Sequence, residues 1–133
     1  MNPSTKLGSG SRPLIWMARA AFVVCLGGVL VLALNPHQID GAVPGRDKAE
    51  HLIAFLVLAG LGRFSWPRAP FLVGVGLLAL GGAIELAQGT ALISRDISFS
   101  DWVADACGVA MGLAVASAVS HVSRPFCRSR SMP

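Results

Sequence analysis

Residues 69–88 read APFLVGVGLLALGGAIELAQ, sixteen residues from Ala69 to Ile84 without one charge and then a single carboxylate, Glu85. An α-helix rises about 1.5 Å per residue and the hydrocarbon of a bilayer is about 30 Å thick, so roughly 20 such residues are enough to cross it. Pro67 and Pro70 open the run, where a missing amide proton does least harm, and a polar stretch from Gly89 to Ser100 follows it. The segment reads as a membrane-spanning helix. Glu85 then becomes a charge that needs a reason, because ionisable groups inside spans are costly and default to functional roles.

Working outward, three more windows approach the same length: Leu14–Leu34, Lys48–Trp66 and Asp101–Val122. The first stops at Asn35-Pro36, a break signal, and tolerates Arg19 because a side chain near a helix end can snorkel to the headgroups. The second is the least apolar, its clean stretch running only from Leu52 to Gly62. The composition agrees with a membrane class. Of 133 residues, 53% are hydrophobic and 14% charged, against about 25% charged in soluble domains, and mean hydropathy is +0.63. Lys6 and Arg12 precede the first apolar window as they would in a leader peptide, but no A-x-A cleavage pattern precedes Asn35, so a retained helix is expected.

The expected fold is therefore all-α, a polytopic membrane protein built as a four-transmembrane-helix bundle over residues 14–123. A cytoplasmic arm, residues 1–13, precedes the bundle, and a basic tail, residues 124–133, follows it. Lysine and arginine set orientation. Lys6, Arg12 and Arg19, then Arg63 and Arg68, then Arg124, Arg128 and Arg130 share one side, eight of the eleven basic residues, which places both termini in the cytoplasm. With the cations acting as short-loop anchors, a net charge of +4 is no sign of nucleic-acid binding. Cys25, Cys107 and Cys127 form no CxxC and have no histidine at ligand spacing, so buried inert thiols are expected rather than a disulfide or zinc framework.

The acids sort the other way. Asp40, Asp47, Glu50, Glu85, Asp96, Asp101 and Asp105, all seven of them, fall on the outward half. Asp47 and His51 are four apart and share a helix face, so they can pair; the plainer reading is a helix start with an interfacial histidine. Glu85 and Gln88 are spaced i,i+3 on one face. Ser98-x-x-Asp101 fits a capping box with Asp in place of Glu, and Asp105 lies one turn deeper. Two carboxylates stacked at i,i+4 repel unless a cation or proton intervenes; Arg95 is the nearest candidate and Lys48 the next. Gly108 and Gly112 continue that face as a GxxxG, which lets another helix approach closely.

In a bundle these pieces converge at one depth and make an outward-facing polar pocket. His51, Glu85 and Asp101 are the candidates for acid–base chemistry, and Asp47, Lys48, Gln88, Arg95 and Asp105 for ligand binding. No cofactor and no resident metal is called for by ligand spacing. A divalent ion among His51, Glu85, Asp101 and Asp105 is chemically coherent, but it rests on how the helices fold and not on a motif.

Asp47-Lys48-x-x-His51-x-x-Ala54-Phe55, then Glu85-x-x-Gln88, then Arg95 with Asp101, and Gly108 with Gly112 resemble the VanZ-like family of small bacterial membrane proteins, over about Arg46 to Gly112. The family's namesake accompanies resistance to the glycopeptide teicoplanin. One position departs, since an Asn is usual where Asp105 stands. The resemblance implies a multi-pass protein of the bacterial cytoplasmic membrane with a role in the cell envelope. Two function classes follow. In the first, the pocket binds or modifies a lipid or peptidoglycan-precursor headgroup at the outer leaflet, or meets a glycopeptide, with Arg95, Lys48 and Arg46 available for phosphate. In the second, the chain is a non-enzymatic accessory subunit or a small-molecule or ion transporter. The expected partners are membrane lipids.

Overall fold

A computed structural model of the chain describes residues 11–35, 46–90 and 98–122. Four α-helices occupy these segments: α1 Ser11–Ala33, α2 Arg46–Ser65, α3 Pro70–Gln88 and α4 Phe99–Val122. Each boundary lies within three residues of the sequence reading. The N-terminal arm, the basic tail, Asp40, Arg95, Asp96 and the Asp47 side chain lie outside the described residues.

Local chemistry sets the helix ends. The α2–α3 turn closes through the Ala69 amide on the Trp66 carbonyl at 3.0 Å, and Pro70 starts α3 at a position where its missing N–H is not needed. The last turn of α3 is tied off by the Gly89 amide on the Glu85 carbonyl at 3.2 Å and by Thr90, whose hydroxyl donates to the Ala87 carbonyl at 2.7 Å.

Three helices, α1, α3 and α4, are long and apolar enough to cross a membrane. The fourth, α2, is not, because every 18-residue window in it contains Lys48, Glu50 and Arg63. Yet α2 is the centre of the bundle. Its Phe55, Leu58 and Ala59 are fully buried, it shares its largest interface with α4, and α1 and α3 pack on it from other sides.

Burial is inverted relative to a water-soluble bundle. Val23, Val24, Leu32, Phe71, Leu72 and Val115 are exposed, whereas Ser65, Glu85, Gln88, Asp101 and Asp105 are buried. A surface of this kind is stable against lipid and not against water. The chain is thus a helical membrane protein. Cys107 does not follow the expectation of a buried thiol: it is exposed, two residues and so about 200° around α4 from the buried Asp105.

Contacts between helix ends give the directions. Arg19 of α1 lies beside Ser65 of α2, and Ala33 beside Gln88 of α3; His51 of α2 meets Asp105 of α4, and Arg63 meets Ser117. Consecutive helices are therefore antiparallel, while α2 runs parallel to α4. At one end Arg19 stacks over Trp16 and Trp66, 5.1 and 5.5 Å from their centroids, as a cation–π pair among interfacial aromatics. Arg63 donates there to the Ser117 hydroxyl and the Pro67 carbonyl, both at 3.2 Å. The opposite end gathers the acids.

The α2–α4 interface is a backbone-to-backbone contact. A Cβ on Gly108 would run into the Leu52 carbonyl oxygen, and one on Gly112 into the Leu56 carbonyl oxygen. The GxxxG face is thus occupied by α2. Close approach of this kind holds helices together by dispersion, where no difference in apolarity from lipid drives them.

Candidate functional site

The acid-rich end is formed by the start of α2, the end of α3 and the start of α4. His51 sits five residues into α2, Glu85 three before the end of α3, and Asp101 and Asp105 in the first two turns of α4. One nitrogen or oxygen from each of His51, Glu85 and Asp101 lies within 4.8 Å of the other two. Three helices distant in sequence thus deliver an imidazole and two carboxylates to one point. All are withdrawn from solvent: Glu85 is 4% exposed, Asp101 7%, and the His51 side chain 10%.

Asp105 completes the group from beneath. It is 0% exposed, and its Oδ1 accepts from His51 Nδ1 at 2.9 Å. With Asp105 ionised its oxygens only accept, so Nδ1 carries the proton and the lone pair of the ring sits on Nε2. The histidine is held in one tautomer and one orientation. The i,i+4 pairing with Asp47 expected from sequence falls on a side chain outside the described residues; the carboxylate on Nδ1 comes from another helix.

Glu85 is fixed by the chain that follows it. Its Oε2 accepts the Ser98 amide at 2.9 Å. This alters the reading of Ser98-x-x-Asp101 as a capping box. In that motif the side chain three residues on receives the N-cap amide, and here Glu85 of α3 receives it. Ser98 Oγ pairs with Ser100 Oγ at 2.9 Å. Asp101 is thereby released from capping and joins the cluster, with Lys48 Nζ 3.9 Å from its Oδ1.

Two oxygens are left over. Glu85 Oε1 and Asp105 Oδ2 are buried with no hydrogen-bond partner among the described residues. Asp105 Oδ2 lies against the backbone of Gly81, where an added Cβ would come within 2.5 Å of it. Gly81 is therefore a seat for this carboxylate, and sequence reasoning missed it: a glycine in a glycine-rich membrane helix carries no signal of its own. Trp102 secures the same joint, its indole N–H donating to the Leu78 carbonyl of α3 at 3.1 Å.

Of the eight residues singled out from sequence, His51, Glu85, Asp101 and Asp105 come together and Lys48 stands at the rim. Gln88 is buried elsewhere, donating Nε2 to the Ala33 carbonyl at 3.0 Å, where it satisfies a terminal acceptor of α1. Arg46 pairs with Glu50 at 2.7 Å on the exposed surface, a contact of small energetic weight.

Fold and cluster together define a helical membrane protein with a buried histidine–carboxylate group at one end of its bundle. Set against protein families, curated proteins and solved structures, the chain matches none.

Proposed function

We propose that the chain is a VanZ-like protein of the bacterial cytoplasmic membrane, crossing it four times with both termini in the cytoplasm. Its acid-rich end faces outward and acts on a lipid or peptidoglycan-precursor headgroup, the kind of activity through which glycopeptide susceptibility changes. The observation that carries this reading is the His51–Asp105 pair at 2.9 Å, set among Glu85 and Asp101. A histidine whose Nδ1–H is held by a carboxylate presents Nε2 as a general base, and two further carboxylic groups within reach provide the partner for a return proton. Lys48, 3.9 Å from Asp101 at the rim, is a described cation available to a phosphate. A transporter is less well supported. Deeper in the bundle the buried residues are Leu58, Ala59, Leu77, Val109 and Ala116, an apolar floor in place of a polar path.

The test is binding of a polyprenyl diphosphate to the full chain in nanodiscs. Saturable binding is expected, weakened at least tenfold in His51→Ala and Glu85→Gln protein of unchanged helicity. Equal affinity in wild type and both variants overturns the proposal. Teicoplanin susceptibility of cells expressing the same variants reads out the resistance arm. Orientation is checked separately, in a background without native cysteines. Thr90→Cys is expected to react with a membrane-impermeant maleimide added to intact cells and Pro67→Cys is not; the reverse pattern overturns the outward placement.

A further inference from the structure

The cluster carries more negative charge than acid–base chemistry requires. Glu85, Asp101 and Asp105 are three buried carboxylates around one imidazole, and among the described residues the cation in reach is Lys48, 3.9 Å from Asp101 and more than half exposed. Uncompensated charge in a low-dielectric site is expensive. With His51 neutral and all three carboxylates ionised, the group carries two uncompensated negative charges. Two of the oxygens, Glu85 Oε1 and Asp105 Oδ2, are also buried with no hydrogen-bond partner among the described residues. Native proteins rarely leave such atoms orphaned, and an ion is among the usual reasons when they do.

We infer that His51, Glu85 and Asp101 bind one divalent first-row transition cation, zinc or manganese, with Asp105 orienting the histidine. One imidazole and carboxylate oxygens form a donor set suited to these ions. A cation about 2.1 Å from each donor holds neighbouring donors roughly 3 to 4 Å apart, and one ring nitrogen of His51 and one oxygen each of Glu85 and Asp101 already lie within 4.8 Å of one another. Small rotations of the side chains close the set. Asp105 accepting from Nδ1 is the arrangement that directs Nε2 at a metal and fixes the ring, as metal-binding histidines generally require. The Ser98 amide holds Glu85 from behind in the same way. Three protein ligands leave coordination positions open for water or for an anionic headgroup. The ion thus deepens the headgroup reading and rests on it for its purpose: it supplies the positive charge through which an acidic cluster accepts a phosphate.

The experiment uses the full chain in nanodiscs, stripped with a chelator and then titrated with Zn(II) or Mn(II), bound metal being counted by mass spectrometry. Close to one equivalent per chain is expected. His51→Ala and Glu85→Gln each weaken binding about a hundredfold, and Asp105→Asn, which keeps the ligands but loosens the histidine, by roughly 10- to 100-fold. Glu50→Gln, an exposed acid at the same end, leaves affinity unchanged. Substitution with Co(II) adds a readout of nitrogen ligation, visible bands that His51→Ala abolishes. Circular dichroism and gel filtration confirm that each variant is folded. Less than a tenth of an equivalent on wild type, or loss of binding in Glu50→Gln equal to that in Glu85→Gln, overturns the inference. The two readings separate cleanly. Metal-free protein that still binds the polyprenyl diphosphate with full affinity removes the ion's role in capturing the headgroup and keeps the headgroup reading; one firmly bound equivalent without headgroup binding keeps the ion and removes the headgroup.

Discussion

Gly112→Ala is expected to push α4 off α2, and Gly112→Leu to prevent their pairing. The Cβ of residue 112 would meet the Leu56 carbonyl oxygen and, at 2.9 Å, the Ala59 methyl group. Neither is the tip of a flexible side chain, so relief requires that one helix move. Overpacking at a tight contact costs about 1–3 kcal/mol. At about 3 kcal/mol for the leucine variant, the ratio of folded to unfolded protein falls roughly a hundredfold. Gly108→Ala is expected to behave alike, because its Cβ would strike the Leu52 carbonyl oxygen. Gly60→Ala is the contrast. Its nearest neighbour would be the Gly112 carbonyl oxygen at 4.0 Å, and alanine is the better helix former by about 0.8–1.0 kcal/mol. Thermal denaturation of detergent-solubilised protein, following helicity, checks the set. Gly60→Ala falling with the others would mean that the effect belongs to glycine in general and not to this interface.

The second large effect is expected from Gly81→Ala on α3, a residue that is itself no ligand. The new methyl group would come within 2.5 Å of Asp105 Oδ2 and 3.3 Å of its Cγ. The carboxylate must rotate away, and with it goes the hydrogen bond that orients His51. Losing such an orienting partner costs metal sites typically 10- to 100-fold in affinity, and the same loss is expected here for both cation and headgroup binding. Gly82→Ala, one position on, would meet only the Trp102 indole at 3.6 Å, an ordinary contact, and should leave both intact. If Gly81→Ala binds metal like wild type, Asp105 does not orient the histidine.

These glycines also mark the limit of what the sequence discloses. Helix positions follow from runs such as 69–88, because length and charge spacing are local quantities and the bilayer imposes them. The gathering of His51, Glu85 and Asp101 at one end follows from the order of the segments: consecutive antiparallel helices must put the start of α2, the end of α3 and the start of α4 together. What stays hidden is rotation about each helix axis. No spacing rule within α2 supplies Asp105, which reaches His51 from another helix, because the register of α4 on α2 is set by glycines 108 and 112 and cannot be read from either helix alone. Likewise Ser98-x-x-Asp101 has the local pattern of a cap, and only the position of Glu85 shows that the amide is already taken. Gln88 shares a face with Glu85 by spacing, yet its amide goes to the end of α1.

The place of α2 in the bundle bears on how the chain is made. The helix that contributes the fully buried Phe55, Leu58 and Ala59 is also the one whose Lys48, Glu50 and Arg63 make it least able to enter a bilayer unaided. Its main partner, α4, is synthesised last. While the ribosome is still extending the chain, α2 has α1 and then α3 for company but not the glycine face that will cover it. Biogenesis is therefore at its most exposed between the emergence of α2 and that of α4. Any truncation or stall before Gly112 leaves α2, with its Lys48, Glu50 and Arg63, without the glycine face that covers it.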